Sequence, residues 1–484
     1  MDRTIAQSTT VRRHSLAVYG ASVMPWRAPL RARASLLYAL LIVSAGAVVS
    51  CTTVASSAAV DRAASAEPSV GPVVAVVSTP SPAPTPTPSA MPTLTPLPTP
   101  TLAPLGSEAS PVLTSEPSPL VSPEPSVDAG PTLDAKTTAK LQKIIDNQVK
   151  NKEVAGLQVA VRLPSGESWL GTAGNAEFGP ERALADDTQL AIASVTKTFT
   201  AALILQLAEE GKIDLDATFG TYFRDAPRKD TVTVRQLLSH TSGIYNFWAN
   251  PRYGEITRAW WASPGAGGLK ARAHEWTYDE MMELVRNGEF KPGKDYQYSN
   301  TNFLILGKVA EAVEGKPLAK QLRQRFFKPL GLEDTVYQPD QKPRPDAAHG
   351  HWNWGGGYTD HTKDSAYVPF LAAASIADAA GAMASTAKDL SVWASTLYGG
   401  ELLSDDLLTQ MTTFQKPGWY GLGADVAVFA GNRGHGHRGG IRGYESSMWY
   451  FPESGVTIVL LSNQGNWLTD APMLKLVKAV LGSN

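Results

Sequence analysis

A chain of 484 residues with a formal charge of −2 and 18% charged residues has an ordinary soluble composition. Its arginines concentrate near the N-terminus, and it lacks the basic stripe that binding to nucleic-acid backbones requires. Cys51 is the only cysteine, so an internal disulfide, a CxxC metal site and thiol catalysis from a folded core are excluded.

Residues 1–33 carry Arg3, Arg12, Arg13, Arg27, Arg31 and Arg33 against the single acid Asp2, and an apolar run follows from Ala34 to Val49. A basic segment before an apolar run of this length reads as an export signal. Val48-Val49-Ser50-Cys51 resembles a bacterial lipobox, in which the cysteine is lipidated and becomes the new N-terminus. Residues 1–51 are therefore expected to be a lipoprotein signal peptide, with an uncleaved anchor or another cleaved signal as alternatives and Met24 as a second candidate start. Residues 52–131 turn to Pro, Thr, Ser and Ala, a composition that forms no core. At roughly 3.1 Å per residue this polyproline-like linker could reach on the order of 200 Å, enough to carry a domain from a membrane into a cell wall.

The folded part is expected over 132–484. A helix from Asp134 to Lys152 precedes a hairpin of Gly156 to Leu163 and Ser168 to Ala173, turned at Pro164-Ser165-Gly166. From Phe199 to Leu207 apolar residues occupy nearly every face, which predicts a buried central helix stopped at Gly211. Ser194 falls at its first turn, where free amides favour negative charge, and Lys197 at i+3 lies on the same face. Ser239-His240 is read as turn chemistry, because sequence neighbours point different ways and cannot form a catalytic pair. Tyr245 to Trp276 is an aromatic, irregular segment, either a lid or cleft wall or a packed loop. Thr277 and Glu280 form a capping box opening a helix to about Asn287, and a further helix runs from Leu304 to Val313.

The stretch from His349 to His361 also holds His351 and Asp360, but no pair has helical i, i+4 spacing, so no metal and no cofactor is assigned. Another helix starts at Ser385. Gly421 to Phe429, the run around His437 to Gly440, Tyr444 to Phe451 and Val456 to Leu461 read as successive antiparallel strands, closed by a helix from Ala471 to Leu481.

Three short motifs stand in order along this chain: Ser194-Val195-Thr196-Lys197, Tyr298-Ser299-Asn300 and His437-Arg438-Gly439. With Leu237-Leu238-Ser239-His240-Thr241-Ser242-Gly243 and Pro292-Gly293 as supporting phrases, the sequence resembles the penicillin-recognising serine hydrolases. These include class C β-lactamases, low-molecular-weight D-alanyl-D-alanine carboxypeptidases and related esterases. The resemblance implies an α+β fold: an antiparallel sheet flanked by helices and formed by both ends of the chain, an inserted mostly helical lobe, and an active site between them. It implies that Ser194 is acylated, that Lys197 and Tyr298 together move its proton, and that Asn300 holds the substrate amide. The amides of Ser194 and Gly440 would form the oxyanion hole, beside Gly439. His437 stands where many relatives have lysine and resembles the His-x-Gly form of certain carboxypeptidases, and with Asn300, Arg438 and Gly439 it is expected to bind the substrate. Lysine and tyrosine both have reference pKa values near roughly 10, so burial and mutual proximity must bring one of them into range.

Relatives that bind a carboxylate often have a hydroxyl residue at the middle of the third motif, where this chain has Arg438. Arginine is a good carboxylate fork, so Arg438, with Arg442 placed further along the same strand face, is expected to hold the terminal carboxylate of a peptide. The sequence thus predicts an exported, membrane-anchored serine hydrolase of the D-alanyl-D-alanine carboxypeptidase type, acting on peptidoglycan-type peptides. An esterase or β-lactamase of the same fold, and a non-catalytic wall-binding or penicillin-sensing module, are the competing readings.

Overall fold

The computed structural model describes residues 131–482 except 153, 262–265, 354–357, 361, 364 and 468. The expected export signal, Cys51 and nearly all of the linker lie outside the described residues, as does His361. Among the described residues no helix is long and apolar enough to cross a membrane.

The first described helix, α1 (Ala135–Lys150), is capped by Asp134, whose carboxylate accepts from the Thr137 amide at 2.7 Å. Strands β1 (Gly156–Arg162), β2 (Ser168–Phe178) and β3 (Glu181–Ala183) follow. Much later come β4 (Asp425–Phe429), β5 (Asn432–Ile441), β6 (Tyr444–Phe451) and β7 (Val456–Ser462). All seven form one antiparallel sheet in the order β3-β2-β1-β7-β6-β5-β4. The middle of the sheet joins the two ends of the folded chain, with Leu157 opposite Ser462. Because side chains alternate across a strand, β1 and β7 are apolar on both faces and each face seeds its own core. Val159, Trp449 and Ile458 face α1 and the last helix, whose Leu476 joins them, while Ala160, Met448 and Val459 face the helical lobe.

That lobe is the segment between β3 and β4. Its central helix α2 (Thr196–Glu209) is almost wholly buried, as the all-round apolar pattern predicts. Phe199 stacks on Trp393 at 3.8 Å, and Trp393 Nε1 donates to Thr198 Oγ1 at 2.9 Å, which locks the rotation of α2. Helices α3 (Asn300–Glu314) and α4 (Leu371–Gly381) flank it, α5 (Ala387–Tyr398) lies between it and the sheet, and α6 (Asp470–Val480) closes the chain on the far face beside α1.

The aromatic segment differs from its sequence reading. It folds as a short turn at Phe247–Ala249 and helices Pro251–Trp261 and Ala266–Arg272, with Phe247 and Trp260 buried. Pro251 opens the longer helix, the position where its missing N–H costs nothing. The Thr277–Glu280 capping box is present, but its helix stops at Met282.

Candidate active site

The chain reaches Ser194 through a strained turn. Leu190–Ala191 pairs with Met383–Ser385, and Ala193 then takes a φ of 47°, a left-handed conformation that alanine rarely adopts. The turn throws residues Ala193–Val195 into a 3-10 helix running directly into α2, and Ser194 is left half-buried at the cleft. One turn on, Lys197 is completely buried.

Three oxygens surround the Lys197 amine: Ser194 Oγ at 3.0 Å, Asn300 Oδ1 at 2.9 Å and the Ala380 carbonyl at 2.7 Å. Burial holds its pKa well below the usual lysine value, which favours the neutral amine. A neutral amine has two N–H groups and one lone pair. The carbonyl and the Asn300 oxygen can only accept, so they take both N–H groups, and the lone pair is left facing Ser194. In this state the serine hydroxyl donates to Lys197, the arrangement a general base requires.

The Ala380 carbonyl is available because α4 is broken. Asp378 sits inside it at φ 37°, ψ −135°, held by a hydrogen bond from the Tyr337 hydroxyl. Past the break, Ala379 O accepts from Thr200 Oγ1 at 2.9 Å and Ala380 O accepts from Lys197.

Tyr298 lies before α3, its ring centroid 5.0 Å from Lys197 Nζ. His240 packs beside it, ring centroids 4.2 Å apart, with Nδ1 accepting from the Ser299 amide at 3.2 Å. Ser239 Oγ instead donates to the Arg235 carbonyl at 2.8 Å, so the adjacent serine and histidine serve separate partners.

Strand β5 forms the opposite wall. β4 ends at Asp425 opposite Gly436, so beyond that point the outer edge of β5 has no strand beside it. A Cβ on Gly439 would lie 2.5 Å from Ile192 O and 2.8 Å from Ser194 N, and only a glycine permits this approach. Ser446 Oγ, from β6, donates to Ile192 O at 2.8 Å and fastens the nucleophile turn to the sheet. Gly440 follows on the exposed edge.

His437 is buried. Its Nε2 accepts from the Tyr420 hydroxyl at 2.7 Å and its Nδ1–H donates to the Arg438 carbonyl. Burial, and then the proximity of Lys197, push its pKa down to about 3, so it is a neutral imidazole at physiological pH.

Arg438 does not face the cleft. Strand alternation turns it to the α6 side of the sheet, where Nε donates to Asp470 Oδ1 at 2.7 Å, Nη1 donates to Asp425 Oδ2 at 2.9 Å, and the guanidinium stacks on Trp449 at 4.8 Å. The expectation that it holds a substrate carboxylate is corrected by this placement. Arg442 is likewise off the strand, in the β5–β6 turn, with its guanidinium 5.6 Å from the Trp260 ring. Arg438→Ala should therefore lower stability by about 1–2 kcal/mol, from partly exposed ion pairs and a stacked cation. Thermal melts test the first effect. Peptide and peptide-amide hydrolysis, compared side by side, should change in step; a loss confined to the free carboxylate would restore the anchoring role.

His349 Nδ1–H donates to Asp360 Oδ2, a carboxylate whose pKa its hydrogen bonds hold down to about 2 against burial, at 2.7 Å at the base of a hairpin formed by His351–Asn353 and Tyr358–Asp360. Among the described residues no group of three or more His, Cys, Asp or Glu is placed to hold a metal ion.

A half-buried serine beside a buried lysine, a neighbouring tyrosine and a glycine strand, set between an antiparallel sheet and an inserted helical lobe, define a class of acyl-transferring serine hydrolases. Residues 141–482 match the family model described as Beta-lactamase, and the chain belongs to that family. A D-aminopeptidase of Brucella canis is 28% identical over 359 residues, 73% of this chain; the match spans 64% of the length of that relative. Among solved structures, the D-amino acid amidase of Ochrobactrum anthropi SV3 aligns with a TM-score of 0.61 and 26% identity, covering 71% of this chain and 98% of the amidase. A D-stereospecific amidohydrolase from a Streptomyces species aligns at 0.59 and 31% identity, with 71% and 98% covered.

Proposed function

We propose that this protein hydrolyses amides or esters of D-amino acids through an acyl-enzyme on Ser194. Lys197 takes the hydroxyl proton as Ser194 attacks the carbonyl, and the amides of Ser194 and Gly440 hold the developing oxyanion. Tyr298 passes a proton to the departing amine or alcohol. Water then attacks the ester carbonyl, giving a proton to the Lys197/Tyr298 pair, which returns it to Ser194 Oγ as the ester bond breaks and the free acid leaves. Asn300, whose Oδ1 is engaged by Lys197, would meet the substrate through its amide nitrogen.

The observation that carries the substrate class is the charge of the third motif. A D-alanyl-D-alanine carboxypeptidase would use the same apparatus but needs a cation for the terminal carboxylate; His437 is neutral and Arg438 is committed to Asp425 and Asp470. The names of the relatives, a D-aminopeptidase, a D-amino acid amidase and a D-stereospecific amidohydrolase, favour the same direction. We also propose that the protein is exported and tethered by lipid on Cys51, which would set the hydrolase among wall peptides as a source of D-amino acids.

The test is turnover of D-alanine p-nitroanilide, L-alanine p-nitroanilide and an N-acylated D-alanyl-D-alanine peptide, with Ser194→Ala as control. The D-anilide should exceed the L-anilide on the order of 100-fold. Faster release of terminal D-alanine from the acylated peptide would favour the carboxypeptidase instead.

A further inference from the structure

We propose that His240 is a positioning residue for Tyr298: it grips the chain on both sides of the tyrosine and backs its ring, so that the phenol meets the leaving group at a fixed place. The inference rests on the proton-donor role given to Tyr298 above and names what holds that donor. His240 follows the short helix Val234–Leu238 and its C-cap Ser239, with a φ of 58°. This left-handed position at a helix exit is usually taken by glycine, and a histidine there is strained. A side chain retained against strain points to a use for it.

The hydrogen bonds of His240 show that use. Its carbonyl accepts from the Gln297 amide at 3.0 Å, and its ring Nδ1 accepts from the Ser299 amide at 3.2 Å. One residue thus holds both neighbours of Tyr298, and its ring centroid lies 4.2 Å from that of the tyrosine. Tyr298 stands in the irregular stretch before α3, so neither a helix nor a strand fixes its backbone. The imidazole is itself oriented by Asn302 of α3. Asn302 Oδ1 accepts from Ser242 Oγ at 2.8 Å, which directs its amide nitrogen to the Leu237 carbonyl at 3.2 Å and to His240 Nδ1 at 3.3 Å. Both groups facing Nδ1 are N–H donors, so Nδ1 carries the lone pair and the ring proton sits on Nε2. Burial, and then the proximity of Lys197 and His437, lower the pKa of His240 well below the usual histidine value and keep this ring neutral. The phrase Leu237 to Gly243 is thereby tied to the Tyr298-Ser299-Asn300 motif through the histidine that turn chemistry alone does not explain.

The test is kcat/KM for the acetate esters of p-nitrophenol, phenol and trifluoroethanol, whose leaving groups need a donated proton increasingly in that order. His240→Gly keeps the left-handed turn and removes the ring, whereas His240→Asn tolerates the same φ and offers Oδ1 near the place of Nδ1. Circular dichroism checks that each variant is folded. Tyr298→Phe and His240→Gly should both lose less than about tenfold on the p-nitrophenyl ester and on the order of 100-fold on the trifluoroethyl ester. His240→Asn should retain more activity than His240→Gly on the trifluoroethyl ester. The double variant Tyr298→Phe/His240→Gly should stay within about threefold of Tyr298→Phe, because a missing phenol has nothing left to position. Losses in the double variant that multiply would overturn the assignment, as would equal losses on all three esters in folded His240→Gly while Tyr298→Phe discriminates among them. If Tyr298→Phe slows all three esters alike, its proton-donor role fails, and the double variant alone decides whether His240 positions it. The expected ester pattern without cleavage of D-alanine p-nitroanilide would remove the substrate class proposed above and leave the role of His240 standing.

Discussion

Lys197→Met reduces acylation of Ser194 by about 10⁴-fold, the upper range for removing a positioned general base, while leaving a side chain of similar length in the buried slot. Intact-mass measurement of the acyl-enzyme with an activated D-alanine ester, and kcat/KM for the same ester, read the loss directly. The wild-type pH profile carries the same information. Lys197 acts as a base only when neutral, and its pKa is lowered by burial, so activity holds at alkaline pH and falls as pH drops through the lowered value. Stability follows the same sign: the unfolded chain binds this proton more tightly than the folded one, so the lysine contributes a penalty that grows as pH falls below the ordinary lysine range and levels off beneath the folded value. Retention of full acylation by the methionine variant would move the base role to Tyr298.

Gly439→Ala should cost about 10²–10³ in kcat, comparable to the loss of an oxyanion donor, with a smaller change in KM. The added carbon would meet Ile192 O and Ser446 Oγ at 2.5 Å and Ser194 N at 2.8 Å, and two of these are backbone atoms of the nucleophile turn. Relief requires β5 to move away from Ser194, which spreads the two amides. Gly440→Ala is the contrast, since its new carbon meets only the end of the Glu445 side chain, which can swing aside. Steady-state kinetics on an ester lacking an amino group separates the two: the alanine at 439 should be far slower than the alanine at 440. Equal rates would mean that the close approach of β5 to Ser194 has no part in catalysis.

The parts of the site that lie in short motifs at element starts were readable from sequence. Ser194 and Lys197 are one helical turn apart, so spacing alone brings them together, and Asn300 is the first residue of α3. The individual strands were legible from their apolar runs and the turns between them, whereas their union into one sheet from both ends of the chain came from the family resemblance. Arg438 was misread through side-chain parity. Once Gly439 is set against Ser194, strand alternation requires its neighbour to point to the other face, and Asp425 and Asp470 lie 13 and 32 residues away, with nothing local to mark them as partners. The Ala380 carbonyl was invisible because a backbone atom carries no sequence signature, and Asp378 in an alanine-rich helix gives no warning of its broken backbone. His240 and Tyr420 support Tyr298 and His437 through ring packing, which no spacing rule predicts.

The sheet also sets an order of events during folding. Its two central strands, β1 and β7, are separated by about three hundred residues of sequence, and the Ser446 hydroxyl that fastens Ile192 comes from the penultimate strand. Such long-range pairing makes closure late and slow. A growing chain can form α2 early, but the turn that aims Ser194 remains unsecured until the chain has been synthesised through Ser446 in β6. Competence for acyl transfer is therefore among the last properties the folding chain acquires.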